Sequence, residues 1–122
     1  MPKHSFPRRG SVYLVRLDPA FGHEIKKIRP AVVISNDHMN ELASTILIMP
    51  ITGGHYSQFG WILLHLPEGG LTKPSSIVSD QIKSIDKRRL IKQTGSVSVD
   101  TMAKIEQAIR DHCGLPEGGI LP

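Results

Sequence analysis

A single cysteine, Cys113, stands among the 122 residues. That excludes an intramolecular disulfide framework and a zinc site built from several cysteines. Long hydrophobic runs are missing too. Val12–Val15, Ala31–Ile34, Ile46–Ile51 and Trp61–Leu64 all fall far short of the ~18 residues of a membrane span. The basic, proline-containing N-terminus has no apolar stretch of the kind a secretory signal carries. No two of the six histidines lie three to five residues apart and no EF-hand pattern occurs, so no metal site is expected. Gly53–Gly54 lacks the Gly-Lys-Ser/Thr sequel of a phosphate-binding loop, and no Gly-x-Ser-x-Gly elbow is present. Cys113, inside a helical pattern, reads as a small hydrophobe. Repeats, low-complexity tracts and linkers are absent. The expectation is one small, reduced, cytoplasmic domain without a cofactor.

What is present fits a folded domain. Apolar residues make up 39% and charged residues 21%, too apolar for disorder. A chain of this length buries roughly two-thirds of its unfolded surface. The expected domain covers residues 9–115, between a flexible N-terminal segment (1–8) and a C-terminal tail (116–122). Ser11–Leu17 reads as a strand, and Ala20–Arg29 as a polar loop ended by the extended Arg29–Pro30 step. Ala31–Ser35 is continuously apolar, the pattern of a strand covered on both faces, and Asn36–Asp37 can open a short turn or helix through Leu42. Thr45–Ile51 is a third strand with a bulge, edge or end expected at Pro50. Gly60–Leu66 is a fourth, followed by a turn at Pro67–Gly70. Ser75–Ile85 reads as extended, and strand character returns at Arg89–Thr94 and Ser96–Val99. From Asp100 to Cys113 the period changes: Met102, Ile105, Ala108, Ile109 and His112 mark an amphipathic helix, capped by Ser98 or Asp100 and stopped by Gly114. The fold class is mainly β, a small, strongly bent barrel or sandwich with a C-terminal helix.

The net charge of +4 is unevenly placed. Residues 1–30 hold seven Lys/Arg against Asp18 and Glu24, and residues 81–92 hold five against Asp86. Everything else is acidic. Clustered cations suit a polyanion, because binding them releases counterions from a phosphate backbone. The second block, Asp86–Arg89 above all, reads more readily from charge alone as a solvated charged turn.

One chemistry needs neither metal nor protein nucleophile. RNA carries its own 2′-hydroxyl, which an enzyme can align with phosphorus, deprotonate and drive against a 5′-oxygen leaving group. Three polar stretches could supply the parts. Gly22–His23–Glu24 with Arg29 offers a guanidinium for phosphate, unless Arg29 is a rim residue paired with Glu24 and His23 is simply solvated. Thr52 can bond a phosphate oxygen while Gly53–Gly54 lets a ligand approach the backbone, unless this is turn chemistry only. Ser79–Asp80–Gln81 interrupts an apolar stretch, so a buried Asp80 would either anchor a site or brace the fold.

At these residues the sequence resembles a known family. Arg9–Val15 (RGSVYLV), Leu17–Asp18–Pro19, Gly22–His23–Glu24, Arg29–Asp37 (RPAVVISND), Pro50–Ile51–Thr52, Asp80–Lys87 (DQIKSIDK) and Met102 resemble, in order, the MazF/PemK (Kid) toxins. The resemblance runs from about Arg9 to Leu115. It implies a small SH3-like (PemK/CcdB-type) barrel with a C-terminal helix, working as a homodimer. It further implies the toxin of a type II toxin–antitoxin system: a metal-independent endoribonuclease that cuts single-stranded RNA at short motifs and arrests translation and growth. Its products would end in 2′,3′-cyclic phosphate and 5′-hydroxyl. The implied partner is an antitoxin whose acidic C-terminal tail fills the RNA groove.

Carried over by position, the resemblance assigns Arg29 to transition-state charge and Thr52 to the scissile phosphate. His23 and Glu24 are assigned to proton transfer and RNA contact. Asp80 matches an acidic residue that this branch pairs with an arginine two positions earlier, where this chain has Val78; the departure favours Arg29 with Thr52 over Asp80-based chemistry. Lys26 and Lys27, in a loop centre more usually rich in Gln and Gly, add attraction for RNA. Gly53 and Lys83 complete the expected RNA-binding set. The alternatives are a non-catalytic toxin of the same fold acting by binding, as gyrase poisons do without Arg-Pro or Pro-Ile-Thr, and an inactive RNA-binding relative.

Overall fold

The computed structural model describes residues 6–17, 22–23 and 27–117. Its elements are β1 (Ser11–Arg16), β2 (Ile28–Val33), α1 (Asp37–Leu42), β3 (Thr45–Gly53), β4 (Ile62–Leu64), β5 (Ser75–Ile77), β6 (Lys83–Asp86), β7 (Leu90–Ser96) and α2 (Val99–Cys113). Every strand pair is antiparallel. β3 is the hub. Thr45–Ile48 pair with β6, Ile48–Pro50 with β2, and Ile51–Gly53 with β5. Pro50 has no N–H to give a ladder, and it falls where β3 passes from β6 to β5. The expected break is thus a change of partner, and the strand runs on to Gly53.

Five strands in the order β6-β3-β2-β1-β7 curve around one apolar interior. The chain crosses from β6 to β7 through a single 3-10 turn, Lys87–Arg89, which brings the two ends of this sheet together without a ladder between them. Inside lie Val15, Leu17, Ala31, Val33, Ile46, Ile48 and Ile85, flanked by Tyr13 and Leu90. The outer face carries Val12, Val32, Met49 and Ile51, covered by Ile62 and Leu64 of β4, Ile77 of β5 and Ile105 of α2. Ala31–Val33 therefore serve two cores by alternation, as their unbroken apolar pattern implies.

Three sequence expectations need correction. Gly60–Leu66 contributes only three strand residues, because a 3-10 turn at Ser57–Phe59 and a left-handed Gly60 precede them. Ser75–Ile85 is two strands with a turn at Ser79–Asp80. The stretch after Thr94 ends as a strand at Ser96, since the Ser98 hydroxyl accepts from Thr101 N–H and starts α2 there.

The turn at Pro67–Gly70 closes the molecule against β7. A β-carbon on Gly70 would lie 2.0 Å from the Thr94 carbonyl oxygen, and one on Gly95 would lie 2.6 Å from backbone of Gly69. Two backbones meet where no side chain fits. Glu68, in the same turn, accepts from Ser98 N–H at 2.8 Å and so finishes the cap of α2 from outside the helix. Burial pushes its pKa up, but hydrogen bonds from Thr101 and Ser98 and the nearby Lys104 outweigh that and hold it below the ordinary glutamate value.

Gly70→Ala should cost roughly 2–4 kcal/mol in denaturant unfolding, combining overpacking with left-handed strain. Gly60→Ala has the same φ of about +70° but open space around it, and should cost only about 1 kcal/mol. A lowered folded pKa means Glu68 stabilises at neutral pH, and this contribution fades as pH falls from the ordinary glutamate range through the folded value. The Tm of Glu68→Gln should accordingly be lower at neutral pH and less sensitive to acid than that of the parent.

Candidate functional site

The β2–β3 ladder pairs Val33 with Ile48, Val32 with Met49 and Ala31 with Pro50. The ladder ends there, and Arg29 and Thr52 each lie two residues beyond the Ala31–Pro50 pair. Alternation along each strand puts both on the inner face, beyond Ala31 and Pro50, so they stand at the mouth of the barrel rather than in its core. Arg29 is exposed and faces Val15 of β1; Thr52 is half-buried and pairs with Ser76 of β5. Lys83 pairs with Ile48, on the other side of β3 from Val33, and is half-buried. Thr52 and Lys83 thus lie along one strand, with Arg29 two residues past the end of the neighbouring ladder.

Next to Thr52 stands a cation that sequence reasoning missed. A β-carbon on Gly53 would be 3.0 Å from Lys73 Cε and 3.4 Å from its Nζ, so the lysine stem lies against bare backbone. Lys73 is the only Lys or Arg between residues 31 and 80, and that isolation was the available signal. The glycine is useful here because it lets an ammonium and a ligand approach the strand end together. The buried Ser76 hydroxyl donates to Gly54 O at 2.7 Å and accepts from Tyr56 N–H at 3.2 Å, which fixes this strand end.

Asp80 is not where its sequence context suggested. It is exposed, in the turn between β5 and β6, and accepts from Trp61 Nε1 at 3.1 Å. Val78, at the position where an arginine was the expected partner, is fully buried, and its N–H donates to Pro50 O. The buried polar residue of this turn is Ser79, whose hydroxyl has no hydrogen-bond partner among the described residues. Gln81, also unassigned from sequence, donates from Nε2 to the His23 carbonyl at 3.3 Å. That bond ties the exposed His23 to the β5–β6 turn. Glu24 and Lys26 lie outside the described residues. Lys27 is exposed at the start of β2 in a left-handed conformation, and its carbonyl accepts from Leu17 N–H.

The basic blocks divide by role. Arg8 pairs with Asp37 at 3.0 Å and Arg9 with Glu106 at 2.8 Å, so both serve the fold. In the second block Arg88 returns to Asp86, whose carboxyl it holds below the ordinary range by hydrogen bonding, and Arg89 donates to Arg16 O. This turn is the solvated, self-satisfied one that its sequence allowed. Among the described residues no three His, Cys, Asp or Glu side chains converge as metal ligands, and no helix is long and apolar enough to cross a membrane.

A guanidinium, a hydroxyl and an ammonium around open glycine backbone, at the mouth of a small barrel, make a site that suits phosphate. Residues 8–113 match the family of PemK-like, MazF-like toxins of type II toxin–antitoxin systems, and the chain belongs to that family. It is 35% identical over 114 residues to the endoribonuclease MazF9 of Mycobacterium tuberculosis, spanning 88% of this chain and 97% of that protein. The fold is that of solved MazF structures. A MazF from Deinococcus radiodurans superposes with a TM-score of 0.80 at 22% identity, over 91% of this chain and 99% of the other. A mycobacterial endoribonuclease in complex with its cognate antitoxin gives 0.73 at 24% identity, over 94% and 100%.

Removing an unpartnered buried hydroxyl leaves nothing unsatisfied behind. Ser79→Ala should therefore unfold within about 0.5 kcal/mol of the parent or slightly later. A loss above about 2 kcal/mol would show that the hydroxyl is bonded in solution.

Proposed function

We propose that this toxin is an endoribonuclease that cuts single-stranded RNA by attack of the 2′-hydroxyl on the adjacent phosphorus, with Arg29 and Thr52 at the reacting phosphate. The observation that supports the reading is that Arg29 and Thr52 each lie two residues beyond the Ala31–Pro50 pair that ends the β2–β3 ladder, on the face those two residues share. In the reaction the O2′–P bond forms and the P–O5′ bond breaks. The 2′ proton leaves to a base, and the departing 5′-oxygen takes up a proton. The ends are 2′,3′-cyclic phosphate and 5′-hydroxyl, with no water or metal consumed.

Arg29 neutralises charge that grows on the non-bridging oxygens, and Thr52 donates to one of them. Proton transfer belongs to the loop that carries His23 and Glu24. His23 is held at one end of this loop by Gln81. Asp80, exposed and bonded to Trp61 with Val78 buried behind it, acts on position rather than on protons. Lys26, Lys27 and Lys83 draw the RNA backbone toward the mouth, and Gly53 lets it close on the strand. The toxin works as a homodimer in the cytoplasm, restrained by an antitoxin whose acidic tail competes for the same cations.

Long mixed-sequence RNA in excess EDTA tests this directly. The parent should cut at one short motif and leave cyclic phosphate ends. Arg29→Ala should lose about 10²–10³-fold in rate while remaining folded, and Thr52→Val about 10–100-fold. Full activity of Arg29→Ala would sink the assignment, and intact RNA that still binds would leave an RNA-binding toxin without cleavage.

A further inference from the structure

Only six aromatic residues occur in the chain, and three of them meet outside both cores. Tyr56, Phe59 and Trp61 lie in the connection from β3 to β4. The Phe59 ring stacks on Tyr56 with centroids 6.0 Å apart and meets Trp61 at 4.8 Å, while Tyr56 and Trp61 meet edge to face at 5.6 Å. Phe59 remains 58% exposed. A cluster built only for stability would bury that ring, since exposure forfeits most of the gain from an aromatic side chain. The cluster is nonetheless held firmly. Trp61 Nε1 is bonded to Asp80, Tyr56 N–H to Ser76, and the Tyr56 ring lies over Gly54, where a β-carbon would come within 3.0 Å of it.

The preceding glycine has Lys73 against it. Gly53–Gly54 therefore carries an ammonium at its first residue and an aromatic ring at its second, directly after Thr52. Lys73 makes no ion pair among the described residues. An ammonium against Gly53 and an aromatic ring against Gly54, in the two residues after Thr52, are the two kinds of group that suit single-stranded nucleic acid, in which phosphates and flat bases alternate.

We propose that Lys73 and the Tyr56–Phe59–Trp61 cluster form a nucleotide subsite flanking the cleaved step, with Lys73 on a backbone phosphate and Phe59 stacked on the neighbouring base. The subsite rests on the endoribonuclease reading for what it flanks, but binding at it is independent of cleavage. The two halves act differently. The lysine contributes affinity for any sequence, whereas the aromatic face favours the bases that stack on it best.

Trp61 is the only tryptophan, so its fluorescence reports on this subsite alone. The full chain is titrated with a short mixed-sequence 2′-O-methyl RNA, which cannot be cut, and cleavage of ordinary RNA in EDTA is mapped in parallel. At saturating RNA, Trp61 should be quenched in the parent and also in Arg29→Ala, at a higher RNA concentration. Phe59→Ala should lower kcat/KM about 10–100-fold and relax the preferred base at one position of the motif, with Phe59→Tyr restoring both. Lys73→Met should weaken binding evenly across sequences and shallow the slope of log affinity against log salt by roughly 0.7. Quenching without cleavage by the parent would overturn the endoribonuclease reading and leave the subsite standing. The parent's rate and motif in Phe59→Ala would overturn the subsite and leave the reading standing. A change in sedimentation of Phe59→Ala, with quenching unaltered, would overturn it in favour of a second copy covering the patch.

Discussion

β3 has to satisfy three neighbours with nine residues, and the rest of the structure follows from how it does so. Its first half is paired with β6, its middle with β2 from Ile48 on, and its end is handed to β5. The hand-over occurs at Pro50, where a missing N–H does least harm. Beyond that point the strand leaves β2 behind, and its inward side chain stops being core and becomes Thr52 at an open mouth. On β2 the same transition happens between Ala31 and Arg29. One register therefore specifies an apolar interior and, two residues on, a polar rim. The core and the site are not separable features of this fold.

The second constraint is closure. A bent antiparallel sheet leaves edges that must be covered or paired. At the β6–β7 side the chain itself turns the corner. On the opposite layer, β7 is met by the Pro67–Gly70 turn, backbone against backbone, with the Thr94 hydroxyl donating to Gly69 O at 2.8 Å. Glu68 then joins that turn to the start of α2, and α2 lays Ile105 onto the outer core. A hydrogen-bonded carboxylate thus links the lid over one core to the strand that closes the other.

Charge separates along the same lines. Cations near acidic residues are used within the fold: Arg8 with Asp37, Arg9 with Glu106, Arg88 with Asp86. Exposed pairs of this kind add little stability, but they remove those charges from the field that an RNA strand meets. The candidate site draws on a different set, Arg29, Lys27, Lys83 and Lys73. The uneven charge of the sequence did not by itself locate that set, since its densest run, Lys87–Arg89, lies in a turn that largely satisfies itself.

The sequence alone determined most of the element types and nominated Arg29 and Thr52 as candidate site residues. Period-two and period-3.6 patterns are local, so β1, β3 and α2 could be read directly, as could the double-faced burial of Ala31–Val33. The motif residues Arg29 and Thr52 stood out because an Arg-Pro step and a Thr-Gly-Gly strand end are short-range features. Tertiary structure decided what depends on partners distant in the chain. Asp80 looked buried because its neighbours are apolar, yet a turn between β5 and β6 turns it out to Trp61 while Ser79 goes in. Lys73 stood in no motif and Gln81 stood in one without a role, since their meaning comes from Gly53 and His23, 20 and 58 residues away. Local pattern fixes which face a side chain takes on its own element; only the strand register and the close glycine contacts decide which side chains then share a place.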